Sequence, residues 1–360
     1  MLSVLTPSPA DPILQLAADF RADPREEKLD LGVGVYKDSA GLTVIPKAVK
    51  EAERRLLETQ DTKSYVGLLG DVGFTKALGE IVLGDAVPAD RVAAIQTPGG
   101  SGALSILFGL IAKARPGATV WVSAPTWANH KALAAASGLG VKEYFYFDPA
   151  TRSVDFGRTA EDLKGAGAGD VVLLHGCCHN PTGANLTPPE WAALTDMASE
   201  QGFTPMIDIA YQGFGDGLEP DAAGLRHMIA RVPESLIAAS CSKNFALYRD
   251  RVGAAFVVAE DAKAQVAVEA NLKTIMRTTI SMPPDHGAAA ARLVLTSPDL
   301  RDMWERELTE MRTRMLELRR RLAEALRART NSDRFDFIAE HRGMFSLVGA
   351  TPEQVDELRE

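Results

Sequence analysis

Short, continuously apolar runs recur through the middle of the chain, and Val171-Val172-Leu173-Leu174 is typical of them. No polar residue alternates with the apolar ones in such a run, which indicates a strand that is covered on both faces. The pattern therefore predicts a largely parallel sheet with helices on either side. The predicted strands are Arg91–Thr97, Thr119–Ser123, Lys142–Phe147, Asp170–His175, Thr204–Ile209, Ser235–Ser240 and Gly253–Ala259.

Helical patterns separate these strands, and a different pattern begins after Thr296. Residues 299–330 contain neither Gly nor Pro, and their apolar positions recur at spacings of three and four. This spacing predicts one long amphipathic helix. The shorter predicted helices are Ala103–Arg115, Ala128–Ser137 and Pro189–Gln201.

The change of pattern near residue 297 and the length of 360 residues both predict two domains. We expect an α/β protein whose large domain, residues 47–297, holds a mostly parallel seven-stranded sheet flanked by helices. A smaller α/β domain would combine residues 298–360 with residues 1–46, which also form an N-terminal arm.

Charge and cysteine content narrow the range of functions. The net charge is −9, which gives no general attraction for nucleic acid or for an anionic membrane. The three cysteines are Cys177, Cys178 and Cys241, and because two are neighbours they suit a reducing compartment better than a disulfide framework. Residues 1–20 lack the apolar core of a signal peptide, and no stretch approaches a membrane span. We expect a cytoplasmic protein with small-molecule partners.

The segment Thr97-Pro98-Gly99-Gly100-Ser101-Gly102 follows a predicted strand and opens a predicted helix. Glycines let the backbone approach an anion closely, and the free N–H groups at a helix start attract phosphate. A tight strand-to-helix turn without a ligand explains the same residues, since the glycine pattern is not a complete dinucleotide-binding motif.

Two charged residues lie at the carboxyl ends of apolar strands, where ligands bind in open α/β sheets. Asp208 interrupts Met206-Ile207-Asp208-Ile209, and Lys243 follows Ser240-Cys241-Ser242, with Arg251 eight residues further on. Burial and a nearby cation lower the pKa of a lysine, which favours the neutral amine that attacks an aldehyde. A capping aspartate and a solvated loop lysine are the alternatives.

The run His175-Gly176-Cys177-Cys178-His179-Asn180-Pro181-Thr182-Gly183 contains metal-ligating residue types, but adjacent cysteines do not have zinc-ligand spacing. We therefore predict structural cysteines, a turn at Asn180-Pro181 and no metal site. Trp127 suits stacking on a flat ring and Arg277 suits carboxylate binding, although each residue type is more often a packing residue or a surface charge.

In combination and in this order, five segments resemble the signatures of class I pyridoxal-phosphate aminotransferases of the aspartate and aromatic amino-acid type. The segments are Leu31-Gly32-Val33-Gly34-Val35-Tyr36-Lys37-Asp38, Thr97-Pro98-Gly99-Gly100-Ser101-Gly102-Ala103-Leu104, His175 to Gly183, Asp208-Ile209-Ala210-Tyr211-Gln212-Gly213-Phe214 and Ser242-Lys243-Asn244-Phe245. The resemblance extends from Asp11-Pro12-Ile13-Leu14 to Gly343-Met344-Phe345-Ser346 and implies fold type I, a homodimer and pyridoxal 5'-phosphate as the cofactor.

The resemblance also implies a role for each matching residue. Lys243 corresponds to the Schiff-base lysine that moves the proton, and Asp208 to the partner of the pyridine nitrogen. Asn180 and Tyr211 correspond to the donors to the phenolic oxygen. The remaining cofactor contacts are Gly100, Ser101, Ser240 and Arg251 at the phosphate, Trp127 stacked on the ring, and Tyr65 reaching the phosphate of the neighbouring subunit. The substrate contacts are Gly34, Trp127, Asn180 and, across the dimer, Arg277.

These roles predict a ping-pong aminotransferase that moves an amino group between an aromatic or dicarboxylic L-amino acid and 2-oxoglutarate. Arg277 suits dicarboxylates, whereas Ser101, Met282 and the loop around Tyr36 depart from the usual wording of aspartate enzymes. The family's arginine for the α-carboxylate lies in a Ser-Arg-x-x-x-Ala-Gly-like segment that does not occur before Glu360. We therefore expect that a few dozen C-terminal residues are missing. Without this arginine, the α-carboxylate should bind more weakly and be less well oriented.

Three other functions are compatible with parts of this pattern. A lyase or decarboxylase would keep the cofactor and cleave another bond. An inactive aminotransferase would act only as a binding protein. A non-catalytic phosphate- or nucleotide-binding protein would use the glycine turn alone, without needing Lys243, Asp208, Tyr211 and Asn180 in this order.

Overall fold

The computed structural model describes residues 2–7, 12–30, 32 and 34–359. Asp11, Leu31 and Val33 of the segments quoted above lie outside the described residues. The strands are β1 (Val92–Pro98), β2 (Thr119–Ala124), β3 (Gly140–Phe145), β4 (Phe147–Asp148), β5 (Ser153–Val154), β6 (Val171–His175), β7 (Thr204–Ile209), β8 (Ser235–Ser240) and β9 (Val252–Val258). The helices are α1 (Pro12–Ala22), α2 (Lys47–Thr59), α3 (Val72–Val82), α4 (Gly99–Ala114), α5 (Ala128–Ala136), α6 (Phe156–Leu163), α7 (Pro188–Gln201), α8 (Leu218–Ile229), α9 (Ala262–Thr279), α10 (His286–Thr296), α11 (Pro298–Thr330), α12 (Phe337–Glu340) and α13 (Pro352–Glu357).

Seven strands form one mixed sheet in the order β1-β9-β8-β7-β6-β2-β3. Strand β9 pairs antiparallel with β1 and β8, while the other neighbouring pairs are parallel. The predicted mostly parallel seven-stranded sheet is confirmed, and each predicted strand overlaps an observed one. Because β9 runs opposite to the rest, its first residues lie at the edge of the sheet where the other strands end. Gly253 accordingly pairs with Ser240.

Two apolar layers cover the sheet, and successive residues of one strand belong to different layers. Val172 and Leu174 of β6 pack in the layer that contains α3, α7, α8, α10 and α11, whereas Val171 and Leu173 pack with α4, α5 and α9. Side chains of a strand alternate between faces, so a sheet that is buried on both sides requires the uninterrupted apolar runs seen in the sequence.

Helix boundaries follow from local capping. Thr187 and Glu190 form a capping box at the start of α7, Pro188 occupies its first turn, and Gly202 ends it in the left-handed conformation with φ of 78°. The long helix predicted after Thr296 is confirmed as α11, which has 33 residues. Helix α4 begins at Gly99, four residues before the predicted start, because Gly100, Ser101 and Gly102 form its first turn.

The division into a large and a small domain stays a prediction. Helix α2 begins at Lys47 and α11 begins at Pro298, close to the two predicted boundaries. In the described part of the chain, no helix combines the length and apolar character that crossing a membrane requires.

Candidate active site

Predicted site residues converge at one edge of the sheet, where the parallel strands end. Asp208 is the penultimate residue of β7, Ser240 is the last residue of β8, and Gly99 follows β1 directly. Lys243 lies three residues beyond β8, and Arg251 immediately precedes the reversed strand β9. The strand directions therefore bring together residues as far apart in the sequence as Gly99 and Arg251.

The Asp208 carboxylate is buried and only half satisfied. Its Oδ2 accepts a 2.8 Å hydrogen bond from Nε2 of His130, while its Oδ1 is buried without a partner. Burial acts to raise the pKa of Asp208, but the hydrogen bond from His130, with smaller electrostatic contributions from nearby side chains including Lys243, outweighs it, so this pKa lies below its ordinary value. Asp208 is therefore an ionised carboxylate with one oxygen that still lacks a donor.

A chain of hydrogen bonds fixes which nitrogen of each nearby histidine carries the proton. The backbone N–H of Asn180 donates to Nδ1 of His175 over 3.4 Å, so the proton of neutral His175 is on Nε2. This Nε2 lies 3.1 Å from the Thr126 hydroxyl, which lies 2.8 Å from Nδ1 of His130. The hydroxyl accepts from His175 and donates to His130, which leaves His130 with its proton on Nε2, facing Asp208.

The neutral state of His175 has a clear physical cause. Burial, with a smaller contribution from the neighbouring His130, lowers the pKa of His175 to about 3, although Asp208 opposes the shift. His175 therefore carries no charge at neutral pH. His175 thus supports the N–H group that His130 offers to Asp208 without adding a buried positive charge of its own.

Lys243 lies against the ring of Tyr211, with its Nζ 4.6 Å from the ring centroid. Burial lowers the pKa of Lys243 below its ordinary value; Asp208 opposes this shift and Arg251 adds to it. Such an amine gives up its proton more readily than a surface lysine. The structure therefore places a nucleophilic amine beside a carboxylate that lacks one donor.

Tyr211 and Asn180 lie together next to this amine. Burial raises the pKa of Tyr211 well above its ordinary value, as does the charge of Asp208, although the Asn180 side chain hydrogen-bonds the hydroxyl and opposes the rise. Tyr211 is consequently a neutral hydroxyl donor. The ring of Phe345 meets Tyr211 edge-on at a centroid distance of 6.3 Å.

An anion cradle lies at the start of α4. Gly99 has φ of 71°, and a side chain there would put its Cβ 2.8 Å from Nη2 of Arg251. A Cβ at Gly100 would lie 3.1 Å from that of Ser240. Arg251 Nη1 is held by the Tyr248 carbonyl at 3.2 Å and the Ser242 hydroxyl at 3.4 Å. Backbone amides, hydroxyls and a guanidinium thus surround a position that glycine keeps open.

Trp127 and Gly34 border the same region. Trp127 immediately precedes α5, is half-buried, and meets the ring of His130 edge-on at 5.3 Å. Gly34 lies so close to the Phe345 ring that any side chain there would collide with it. The N-terminal segment is also tied to the site by the Tyr36 N–H, which donates to the Tyr248 hydroxyl at 3.1 Å.

Two predicted site residues lie on the surface of this chain. Tyr65 is 91% exposed. Arg277 lies in the last turn of α9, where its Nη1 donates to the Ser281 hydroxyl at 2.7 Å in an exposed contact. Within one chain, neither residue contributes to the cluster around Lys243.

Sequence reasoning missed some of the residues that support the site. His130 was not identified, although it follows Thr126 by four residues and Trp127 by three, a spacing at which side chains can meet at the start of a helix. Asp221 was also missed. It lies with its carboxylate near the thiols of Cys177 and Cys178, the three ligand-type atoms being within 4.8 Å of one another. Its oxygens accept the backbone N–H groups of Gly213, Gly215 and Asp216.

Comparisons with known proteins match this chain to aminotransferases. A family model described as aminotransferase class I and II matches residues 26–360. The aromatic-amino-acid aminotransferase of Paracoccus denitrificans is 52% identical over 360 residues, which are 100% of this chain and 91% of that protein. The aspartate aminotransferase of Salmonella typhi is 45% identical over 363 residues, covering 100% of this chain and 92% of that protein.

A solved structure extends the likeness to three dimensions. The aromatic-amino-acid aminotransferase of Burkholderia pseudomallei, covalently bound to pyridoxal phosphate, matches with a TM-score of 0.97 and 40% identity, over 100% of this chain and 91% of that one. The family and the fold type expected from the sequence are thereby confirmed. The chain belongs to the class I and II aminotransferases, enzymes of the pyridoxal-phosphate-dependent fold type I.

Proposed function

We propose that this aminotransferase moves an amino group between an aromatic or dicarboxylic L-amino acid and 2-oxoglutarate, with pyridoxal phosphate attached to Lys243. One observation carries the assignment of the site. A partly buried lysine with a lowered pKa lies beside a buried carboxylate whose Oδ1 has no donor. This pair suits a cofactor that offers an aldehyde to an amine and a ring N–H to a carboxylate.

The residues at the edge of the sheet fit that cofactor. The unpartnered Oδ1 of Asp208 would receive the N–H of the pyridine ring, and the hydrogen bond from His130 keeps this carboxylate ionised. Tyr211 and Asn180 would donate to the phenolic oxygen, and Trp127 would stack on the ring. The phosphate would be held by Gly100, Ser101, Ser240 and Arg251, where glycine leaves the cradle open.

When bound, the cofactor supplies an electron sink for the electron pair left at the substrate α-carbon. Asp208 maintains the sink because an ionised partner keeps the ring nitrogen protonated. Lys243 Nζ is the base that takes and returns the α-proton, and its burial keeps a neutral amine accessible. The Tyr211 hydroxyl stays protonated and serves as a donor throughout.

The proposed substrates rest on relatives and on one arginine. The 52%-identical Paracoccus denitrificans protein is named for aromatic amino acids and the 45%-identical Salmonella typhi protein for aspartate. Arg277 would bind the second carboxylate of a dicarboxylate. Turnover of phenylalanine and of aspartate with 2-oxoglutarate should both be measurable. Stoichiometric 2-oxo acid without carbon dioxide would separate transamination from lyase or decarboxylase chemistry.

The cofactor assignment is tested by Lys243→Ala, with Lys164→Ala, an exposed lysine directly after α6, as the matched control. Wild type and the control should show a visible absorption band that borohydride abolishes. Lys243→Ala should lose both the borohydride-sensitive attachment and at least about 10³-fold in turnover, because no other amine can take both roles. Normal turnover in purified Lys243→Ala would refute the assignment.

We also propose that the enzyme is a cytoplasmic homodimer in which Tyr65 and Arg277 serve the neighbouring subunit. Their exposure in the single chain supports this proposal, since residues that complete a partner's site must project from their own subunit. The three buried free cysteines suit a reducing compartment.

A hybrid dimer tests the exchange of Arg277. One subunit carries Lys243→Ala and the other Arg277→Ala, each with a different affinity tag. If Arg277 acts across the dimer, the hybrid retains one intact site and about half of the wild-type aspartate turnover, although each parent homodimer is impaired. If Arg277 acts within its own subunit, the hybrid has no intact site and no such recovery.

A further inference from the structure

Trp304 connects the second turn of α11 to the loop that carries Lys243. Its side chain is completely buried, and its indole Nε1 donates a 2.7 Å hydrogen bond to the carbonyl oxygen of Asn244. The indole also stacks on the ring of Phe245, with a centroid distance of 4.5 Å and an interplanar angle of 13°. Trp304 thus contacts the two residues that directly follow Lys243.

Backbone hydrogen bonds hold the loop before and after Asn244, and Trp304 holds the carbonyl of Asn244 itself. Before the lysine, the N–H of Cys241 donates to the Val252 carbonyl at 3.0 Å, so the chain is still tied to β9. After it, the Ala246 N–H donates to the Lys243 carbonyl at 3.0 Å and closes a turn. Asn244 lies inside that turn, and its own side-chain oxygen is buried without a partner. The hydrogen bond from Trp304 of α11 therefore orients the Asn244 carbonyl.

The same helix also holds the segment around Phe345, which contacts Tyr211. Arg319 of α11 donates through Nε to the Gly343 carbonyl at 3.0 Å and through Nη2 to the Phe345 carbonyl at 2.5 Å. Trp304 and Arg319 are fifteen residues apart, which is about 22 Å along a helix axis. One continuous helix therefore fixes both the lysine loop and the segment whose Phe345 ring meets Tyr211.

We propose that Trp304 is a positioning residue for catalysis: its indole N–H orients the peptide between Asn244 and Phe245, one residue beyond Lys243, and thereby keeps Nζ over the Tyr211 ring. The proposal rests on the assignment of Lys243 as the cofactor-bearing lysine. Small displacements of a catalytic group reduce the rate strongly, whereas substrate contacts made by other residues are unaffected. The loss should therefore appear in kcat rather than in KM.

The test is Trp304→Phe in the full-chain holoenzyme, which removes the N–H and keeps an aromatic ring against Phe245. The matched control is Trp121→Phe, because the Trp121 Nε1 also donates a hydrogen bond, a partly buried one to Asp170 at 3.1 Å, but from β2, which is separated from β8 by two strands of the sheet. We expect kcat to fall about tenfold or more in Trp304→Phe with KM within about twofold of wild type. Trp121→Phe should retain wild-type kcat.

Two further readouts distinguish positioning from general stability. The pH midpoint of the visible cofactor band should shift by about half a pH unit or more in Trp304→Phe, because the surroundings of Nζ change. The band of Trp121→Phe should titrate as in wild type. If Trp304→Phe does not fold, Trp304→His, which keeps an N–H donor on a smaller ring, should fold with a titration closer to wild type than that of Trp304→Leu.

Equal kcat and equal band titration in Trp304→Phe and Trp121→Phe would overturn the proposal. That result differs from failure of the function proposed above. If Lys243 is not the cofactor-bearing residue, the borohydride-sensitive band persists in Lys243→Ala whatever happens at Trp304. If the band requires Lys243 but ignores Trp304, only the positioning role is wrong.

Discussion

Replacing Asp221 by alanine should destabilise the loop that follows Tyr211. Asp221 lies in the first turn of α8, is 6% exposed, and accepts three backbone hydrogen bonds of 2.8 to 2.9 Å. The donors are Gly213, Gly215 and Asp216. Burial raises the pKa of Asp221, while these N–H groups oppose the rise. The carboxylate thus serves as the acceptor that folds this loop.

The magnitude follows from the donors left behind. Each buried donor without a partner costs about 1 to 3 kcal/mol. Asp221→Ala leaves three donors without this partner, of which the N–H of exposed Asp216 is only partly buried. Water can also enter the vacated space and the burial penalty of the carboxylate disappears, so the lower end applies. We expect a loss of about 3 kcal/mol. Asp221→Asn should be little better, because its amide group must direct N–H groups at one or more of the same donors.

The assay is urea unfolding of the cofactor-saturated protein, with Asp302→Ala as the control. Asp302 lies on the exposed side of α11, so its replacement should change the free energy of unfolding by less than about 0.5 kcal/mol. A loss below about 1 kcal/mol in Asp221→Ala would show that the three hydrogen bonds do not organise the loop, and the reasoning would be wrong.

Two further predictions concern acid stability and the anion cradle. Burial keeps the pKa of His179 well below its ordinary value, so only the unfolded chain takes up a proton there as the pH falls below about 6.5. Stability conferred by neutral His179 is lost with acidification, and His179→Gln should reduce the slope of unfolding free energy between pH 6 and 4.5 by about 1.4 kcal/mol per pH unit in urea titrations; an unchanged slope would contradict this. A Cβ at Gly253 would lie 2.6 Å from the carbonyl oxygen of Ala239 and 2.7 Å from the carbonyl carbon of Gly99. Gly253→Ala should therefore cost about 1 to 3 kcal/mol and weaken cofactor binding in a fluorescence titration, whereas wild-type affinity would show that the cradle tolerates the shift.

The strands were predictable because a continuous run of apolar residues identifies each one without reference to the rest of the chain. An uninterrupted run such as Val171–Leu174 can be buried only when both faces are covered, and the observed sheet has that arrangement. The antiparallel direction of β9 was not predicted, since the apolar pattern of a strand does not show whether it runs parallel or antiparallel to its neighbours. The hairpin β4–β5 was also missed, because strands of two residues leave no periodicity.

The candidate site was predictable where a motif names its residues, and not where packing selects them. Lys243, Asp208 and Tyr211 belong to recognisable sequence motifs, and the structure brings them together. His130 and Trp304 belong to no such motif. The role of His130 depends on α5 lying against the end of β7, and that of Trp304 on α11 lying against the lysine loop. Such contacts join positions 60 to 80 residues apart and appear only when the chain is folded.

The antiparallel pairing of β8 with β9 has a consequence for protein engineering. Ser240 and Gly253 are opposite each other in the ladder, so the amine and the guanidinium are both carried by the short connection between them. Neither can be relocated alone, because lengthening or shortening that connection displaces the two groups together. A design for a different cofactor would therefore have to replace the whole connection between β8 and β9 at once and keep its contact with Trp304.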